Sequence, residues 1–520
     1  MLTTPDTQPK ARLGEATRTL LLFGGLSVVA FAFLAFALSL GVTQDASSFL
    51  VVAQRWLEGY WPYVGTFDNK PPLFYVLMLP AYLLSLVVGP ALALALNWAA
   101  WCGALGICLR ALLRQLGVSA PGALLAALAV TALSANPQLS QGGGNSETPA
   151  AVFLVLACFW TLRPGRWAPT MAGLSLGAAA LISLWAIPFG ALVAVNLWLG
   201  RRQIGPWLKA GLAVLTSAGL LIALAVAILA LAGALGAAIH DIFDYNRAYL
   251  VIRPCSFLVY SGWPCGAPVD NLISIGGTVL AWLGFGLLGL TLWRRQAASV
   301  LLATLWLGLF IALTLPGGRL APQYGLQAVV PLAIFAGLGL EALNTWRHRL
   351  IKLTLLGLSI WLAIFVNLVL TQSFAHNDAD WTGVHNQRAA GLADWLAQNT
   401  NADTPYWLWG SDTAYLYLLL PREPLDPNVN LYGLITPGWA TPQMGTQLAC
   451  SLARHQGLVV EDTANSGMPG LLTIGHHPYY ANVLDPVRTL VRDHYHQIGQ
   501  IDGFIIYAPL PGYAPVANCP

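Results

Sequence analysis

The stretch "GTFDNKPPLFY", residues 65–75, sets Asp68, Asn69 and Lys70 directly before two prolines and an apolar run. Pro71 and Pro72 hold the chain extended and then permit a helix to start. Lys70 is therefore held at one point, where an ammonium can bind a phosphate or merely snorkel to lipid headgroups. In the same loop, Asp45 begins a run in which Phe49, Val52, Ala53, Trp56 and Tyr60 share one helical face. That periodicity predicts an amphipathic helix over 46–59, lying in the membrane interface and stopped by Gly59. Asp45 stands where it could serve as the helix N-cap or as a free carboxylate. Further on, Arg319 is the only formal charge between Arg295 and Glu341, beside Gly317 and Gly318, which allow a tight turn. An arginine there is a good phosphate ligand or an interfacial anchor. A carboxylate with two cations is a set suited to displacement at a sugar anomeric carbon with phosphate leaving. The carboxylate deprotonates the incoming hydroxyl, and the cations stabilise the departing phosphate.

Two more segments carry polar side chains. "GGGNSETPA" places Asn145 and Glu147 just before an apolar run, where Asn145 or Ser146 could cap a helix and Glu147 favour its dipole. "HDIFDYNRAYL", residues 240–250, mixes His240, Asp241, Asp244 and Tyr245 with Asn246, Arg247 and Tyr249. That mixture suits a sugar site and equally a solvated loop. Its His/Asp spacing matches no firm metal-ligand pattern.

The elements that must position these residues are membrane spans. Of 520 residues, 57% are hydrophobic and 9% charged, against about 25% charged in a soluble domain. The mean hydropathy is +0.63, and the class is a polytopic α-helical membrane protein. The first apolar run is too long for a signal-peptide core and reads as a retained span. A net charge of +3 gives no footing for a nucleic-acid partner. Apolar runs at 18–40, 91–111, 119–136, 149–163, 168–184, 185–199, 209–232, 271–292, 298–315, 326–344 and 353–371 give about eleven transmembrane helices. The run 73–88, interrupted by Pro80, is the ambiguous case. If it does not cross, Arg110, Arg114, Arg163, Arg166 and the later Arg/Lys pairs fall inside, and the later outer loops keep only Arg247, Arg253 and Arg319. The positive-inside rule favours that arrangement. It puts 73–88 along the outer face or re-entering it, all four segments above outside, and everything beyond about 372 outside as well.

Residues 1–372 then form the transmembrane core and 373–520 an extracytoplasmic mixed α/β domain. The latter has a helix-like stretch ("QRAAGLADWLAQNT") and strand-like runs ("YWLWG", "GLVV", "LLTIG", "GFIIYAP"). Cys102, Cys108 and Cys158 lie in apolar runs. Cys255 with Cys265, and Cys450 with Cys519, could pair if they face an oxidising compartment, or remain free thiols.

The chain resembles the GT-C class of membrane glycosyltransferases, within it the bacterial group related to protein O-mannosyltransferases and the aminoarabinose transferase of lipid A. The resemblance spans nearly all of residues 18–372. It rests on "DASSFLVVAQRWLEGYWPYVGTFDNKPPLFY", the specific part, and on "GGGNSETPA" and "GGRLAPQYGLQAVVP". It implies an inverting transferase in the bacterial cytoplasmic (inner) membrane, with a polyprenyl-phosphate-linked sugar donor and its active site on the outer face. The acceptor, a glycolipid, polysaccharide or protein, is left unidentified. The family's loop acid falls on Asp45, its phosphate-binding lysine on Lys70, its late-loop arginine on Arg319 and a common acidic position on Glu147. Asp68 and Asn69 would position the lysine or touch the sugar, with Asn145 and Tyr245 as further substrate contacts. The family also expects short juxtamembrane helices in the first outer loop. Two departures stand out. Many members follow the loop acid with glutamate, where this chain has Ala46, so a divalent metal is left open as a cofactor. A histidine that often precedes the late-loop tyrosine is Gln323 here, before Tyr324, and both remain candidate substrate contacts.

The alternative is a lipid-linked oligosaccharide flippase. It needs polar or ionisable groups lining a path at mid-membrane depth, and the apolar runs are almost free of them.

Overall fold

The computed structural model describes residues 9–36, 38, 41–140, 142–201, 203–251, 293–314, 325–345, 380–410, 414–429, 432–464, 470–472 and 481–513. The helices before residue 346 are α1 (Pro9–Phe36), α2 (Gln44–Leu57), α3 (Pro72–Val88), α4 (Pro90–Gln115), α5 (Ala120–Ser134), α6 (Pro137–Ser140) and α7 (Glu147–Leu162). They continue with α8 (Ala168–Ile182), α9 (Gly190–Arg201), α10 (Ile204–Leu231), α11 (Leu235–Ile239), α12 (Tyr245–Val251), α13 (Trp293–Thr314) and α14 (Leu326–Thr345). Nine of the eleven expected spans fall on these helices; 271–292 and 353–371 lie outside the described residues. Four apolar stretches, Gly14–Ala35, Pro90–Gln115, Leu184–Arg201 and Ile204–Leu231, are long and apolar enough to cross a bilayer. The chain is a multi-pass membrane protein. The ambiguous run is α3, whose 17 residues reach about 26 Å at 1.5 Å each.

Small residues let the helices approach closely. Gly106 on α4 lies against Thr131 and Ala127 of α5, and Gly173 on α8 lies against Val214 of α10, where an added Cβ would sit 2.2 Å from its carbonyl oxygen. Lipid gives helices no hydrophobic reason to associate, so such close packing must hold them. Leu220, Leu212 and Leu231 of α10 stay exposed on the protein surface, as suits a lipid-facing helix.

The first long loop, residues 41–71, folds largely as its periodicity predicts. The cap of α2 is Thr43, and Gly59, with φ +100°, follows its C-terminus. Phe49, Val52 and Ala53 are buried, whereas Trp56 is only half-buried and Tyr60 exposed. The helix is also covered on a second side: Val51 packs with Leu392, Leu416 and Leu408 from beyond residue 379. It is thus covered on two sides by protein.

That C-terminal part contains α15 (Asp380–Asn399), β1 (Tyr406–Trp409), α16 (Ala414–Leu419), α17 (Tyr432–Ile435), α18 (Pro442–His455), β2 (Leu458–Asp462), α19 (Ala481–His494), β3 (Tyr495–Ile501) and β4 (Phe504–Pro509). The four strands form one sheet in the order β1-β2-β4-β3, with β1 parallel to β2 and the other pairs antiparallel. "YWLW" is buried throughout because both faces are covered. Trp407 and Trp409 pack on Leu448, Leu452 and Leu484, while Tyr406 and Leu408 face Leu392 and Leu396. Asp502 and Gly503, both at positive φ, make the two-residue turn from β3 to β4. The strand expected at "LLTIG" is corrected in part: Leu471 and Leu472 form a 3-10 turn, tied by the Leu471 N–H donating to the Glu461 carboxylate at 2.7 Å. The strand that takes a place in the sheet is "YHQIGQI", which the apolar pattern did not reveal. Cys450 is disulfide-bonded; Cys255, Cys265 and Cys519 lie outside the described residues. Cys102, Cys108 and Cys158 are free thiols.

Candidate active site

Asp45 is the second residue of α2, not its cap. Thr43 takes that position, and the Ser47 and Ser48 hydroxyls donate to the carbonyls of Thr43 and Gln44. The Asp45 carboxylate, half-buried, has no hydrogen bond or ion pair to the described residues. Burial raises its pKa above the ordinary carboxylate value, and the nearby Lys70 ammonium pulls it back.

Lys70 reaches the same face of α2. Its ammonium stands 5.8 Å from the centre of the Phe49 ring, and Phe49 is one helical turn beyond Asp45. The backbone of Lys70 is held from several sides. Its N–H donates to Asp68 Oδ1 at 3.1 Å, and its carbonyl accepts from the Tyr63 hydroxyl at 2.7 Å. Tyr63 itself sits at φ +73°, a left-handed conformation that costs a tyrosine about 1–3 kcal/mol. Pro71, at ψ 157°, is the extended cap of α3 and Pro72 its first turn, as the sequence predicts. Burial works against the Lys70 charge, but the carboxylates of Glu147, Asp45 and Asp68 outweigh it and hold the ammonium more firmly protonated than usual. No carboxylate among the described residues closes to salt-bridge distance on it.

Glu147 comes under Lys70 because of the glycines before it. Gly143 and Gly144 stand at φ +104° and +95°. A Cβ on Gly144 would lie 2.8 Å from that of Ala46, and one on Gly143 3.2 Å from the Trp98 side chain. Only glycine lets this backbone run against the start of α2. Ser146, the cap residue of α7, makes no side-chain cap bond. Asn145 instead accepts from Trp98 Nε1 at 3.4 Å and donates to the Ser140 carbonyl at 3.0 Å. Asn145 is spent on holding the loop. Glu147 is buried, and its Oε2 finds no partner.

Asp68 is buried with Oδ2 unpartnered. Burial pushes its carboxyl up to about 6, against the pull of Lys70 and a backbone N–H. Asn69 exchanges bonds with Asn246 of α12: its amide donates to Asn246 Oδ1 at 3.4 Å, and Asn246 returns one to the Asn69 carbonyl at 3.2 Å. Tyr245 is 2% exposed and packed among Phe67 and Trp439, so it braces the site from behind. Arg319, Gln323 and Tyr324 lie outside the described residues.

The sequence reading passed over Asp241 as a member of this cluster. It sits in a π-helical turn, His240–Asp244, is buried, and leaves Oδ2 unpartnered. Burial first, then the Asp68 carboxylate, pushes it up to about 8. π-turns gather at functional sites, but nothing in "HDIFDYNRAYL" marks which acid turns inward. Tyr249 also comes near enough to Lys70 to influence its charge. For a metal the fit is poor. Among the described residues no group of three or more His, Cys, Asp or Glu converges as a ligand set; the carboxylates surround a lysine instead.

These features define a membrane protein with a cluster of acids around one lysine, built at the start of a short helix. The same fold occurs in ArnT from Cupriavidus metallidurans. Its crystal structure bound to undecaprenyl phosphate matches at TM-score 0.56 and 14% identity, covering 96% of this chain and 99% of that one. Its apo structure matches at TM-score 0.51 and 15% identity, with the same coverage. The GT-C resemblance drawn from the loop motifs is thereby met in the fold. No protein-family model and no curated protein matches the sequence.

Proposed function

We propose that the chain transfers a sugar from a polyprenyl-phosphate-linked donor to an acceptor hydroxyl on the outer side of a bacterial cytoplasmic membrane, with inversion at the anomeric carbon. The observation that carries this reading is the pairing of Asp45 and Lys70: a carboxylate that does not cap its helix, beside an ammonium, with neither in a salt bridge among the described residues. The likeness to an ArnT structure that binds undecaprenyl phosphate supports a lipid-phosphate ligand. The disulfide at Cys450 and the distribution of arginines support an outer location for the C-terminal domain.

In this mechanism the acceptor oxygen attacks the anomeric carbon from the side opposite the phosphate. Its proton passes to the Asp45 carboxylate as the new C–O bond forms. The bond to the phosphate oxygen breaks, its electron pair stays with the phosphate, and the Lys70 ammonium, with Arg319, stabilises the added charge. Asp68 and Asn69 act on the lysine rather than on the sugar, since both are engaged with its backbone or its neighbours.

The test is transfer from radiolabelled polyprenyl-phosphate sugars by detergent-solubilised protein, wild type beside Asp45→Asn. Loss of the base is expected to lower kcat by about 10²–10⁴-fold with the fold and donor binding retained. An Asp45→Asn protein of full activity would remove Asp45 from the chemistry.

A further inference from the structure

We infer that the C-terminal α/β region is a working part of the donor site, with Trp439 as the residue through which it positions Lys70. This rests on Lys70 holding the donor phosphate.

The link is continuous and short. Residues from 426–429 and 433–439 lie around Phe67, three residues before Lys70. The Phe67 N–H donates to the Pro427 carbonyl at 2.6 Å. That carbonyl is aimed by a turn in which Asp426 Oδ1 accepts from both the backbone and the side-chain nitrogen of Asn428, each at 2.6 Å. Gly433 lies so near that an added Cβ would come 3.1 Å from the Phe67 ring. Trp439 then closes the far side. Its ring is 5.6 Å from Phe67, 5.5 Å from Tyr245 and stacked on His240 at 3.9 Å. Phe67 and Tyr245 meet edge to face at 5.0 Å. The hydroxyls of Thr436 and Tyr245 bond at 3.3 Å.

Tyr245 opens α12, which carries one residue that holds Asn69, the neighbour of the lysine, and one that lies near the lysine itself. Asn246 exchanges hydrogen bonds with Asn69, and Tyr249 stacks on Tyr245 at 5.6 Å while lying near the Lys70 ammonium. One indole therefore fixes both supports of Lys70: the loop that carries it and the helix that flanks it. Residues 60–71 form no helix or strand, so the loop is held by turn and side-chain contacts such as these rather than by a backbone ladder. Phe67, Tyr245 and Trp439 are each at least nine-tenths buried, so the aromatic group is closed to a sugar ring and acts through position.

On this inference the membrane core alone does not retain the donor at wild-type affinity. With the clamp loosened, Lys70 samples other positions, and apparent affinity falls with the fraction of loop in the competent state. A fall to about one-tenth raises the apparent Kd about tenfold.

The experiment measures donor KM and kcat, and amide exchange over residues 63–70, in the full-length protein. Wild type is compared with Trp439→Ala and Trp439→Phe. The expected result for Trp439→Ala is a donor KM up about tenfold, kcat within about twofold, and faster exchange at the Phe67 amide. Trp439→Phe keeps a ring and removes an indole N–H that has no acceptor, so it should restore both. Should Trp439→Ala fail to fold, Thr436→Val removes only the hydroxyl bond and should move KM and exchange in the same direction by less. Tyr60→Phe, which breaks the 3.4 Å bond to Glu423 elsewhere on the same interface, should leave KM unchanged. A wild-type KM in Trp439→Ala, or an equal rise in Tyr60→Phe, overturns the clamp. A wild-type protein that neither binds nor turns over any lipid-phosphate sugar overturns the functional reading instead, and the exchange data still report whether Trp439 holds the loop.

Discussion

Replacing Lys70 by glutamine tests two roles at once. The ammonium is the counter-charge of Asp45, Asp68 and Glu147, and in the proposed mechanism it also holds phosphate. A charge-assisted hydrogen bond contributes about 1.5–3 kcal/mol, so its loss should weaken donor binding by about 10- to 150-fold, at 1.4 kcal/mol per tenfold. The second effect is on Asp45. Burial raises its pKa and Lys70 lowers it. An opposite charge at close range favours the ionised carboxylate, so without Lys70 the pKa rises further. The base must be ionised to act, so the acid limb of the rate profile must move to higher pH. The assay is kcat/KM for the labelled donor across pH 4–9 (a chosen range of roughly five units), wild type beside Lys70→Gln. A raised KM with an unmoved acid limb would mean that the titrating base is not the carboxylate beside Lys70. An unchanged KM would remove Lys70 from phosphate binding.

Other outcomes follow from the buried charges. Asp241 keeps its proton to about pH 8 in the folded chain, whereas an unfolded aspartate loses it near about 3.9. Between these values the folded state binds more protons, so stability falls as pH rises. Asp241→Asn should therefore raise Tm at pH near 8, by on the order of 2 kcal/mol of stability, and change little near pH 4; thermal unfolding in detergent at the two pH values checks the sign. Arg388 pairs with the fully buried Asp462 side chain at 2.5 Å and donates to the Asp502 carbonyl at 2.6 Å. Arg388→Ala strands that carboxylate at a cost of about 3–5 kcal/mol. It should make the C-terminal strands markedly more sensitive to limited proteolysis, and Asp462→Asn in the same chain should recover part of the loss.

Much of the site was legible because its elements are local. The spacing of Phe49, Val52 and Ala53 determines the buried face of α2, and Gly59 its end. Pro71-Pro72 determines an extended residue followed by a helix start. The long apolar runs determine spans, since a backbone in lipid must satisfy its own hydrogen bonds. The pattern at Asp45 was ambiguous between cap and free carboxylate. The ambiguity was resolved by Thr43, whose extended backbone takes the cap two residues earlier.

What no local pattern could contain is convergence. Lys70, Glu147 and Asp241 come from three separate segments, and their coupling exists only once Gly143 and Gly144 let one loop lie against α2 and a π-helical turn carries Asp241 inward. The same holds for the clamp, where Phe67 meets Pro427 and Trp439 across more than 350 residues of chain. Hydropathy and periodicity report which face of an element is buried, and they determined the membrane class, the amphipathic helix and most of the C-terminal strands. Which charges share a low-dielectric cleft, and which distant ring holds a loop in place, depends on packing between elements, and only the tertiary structure decided it.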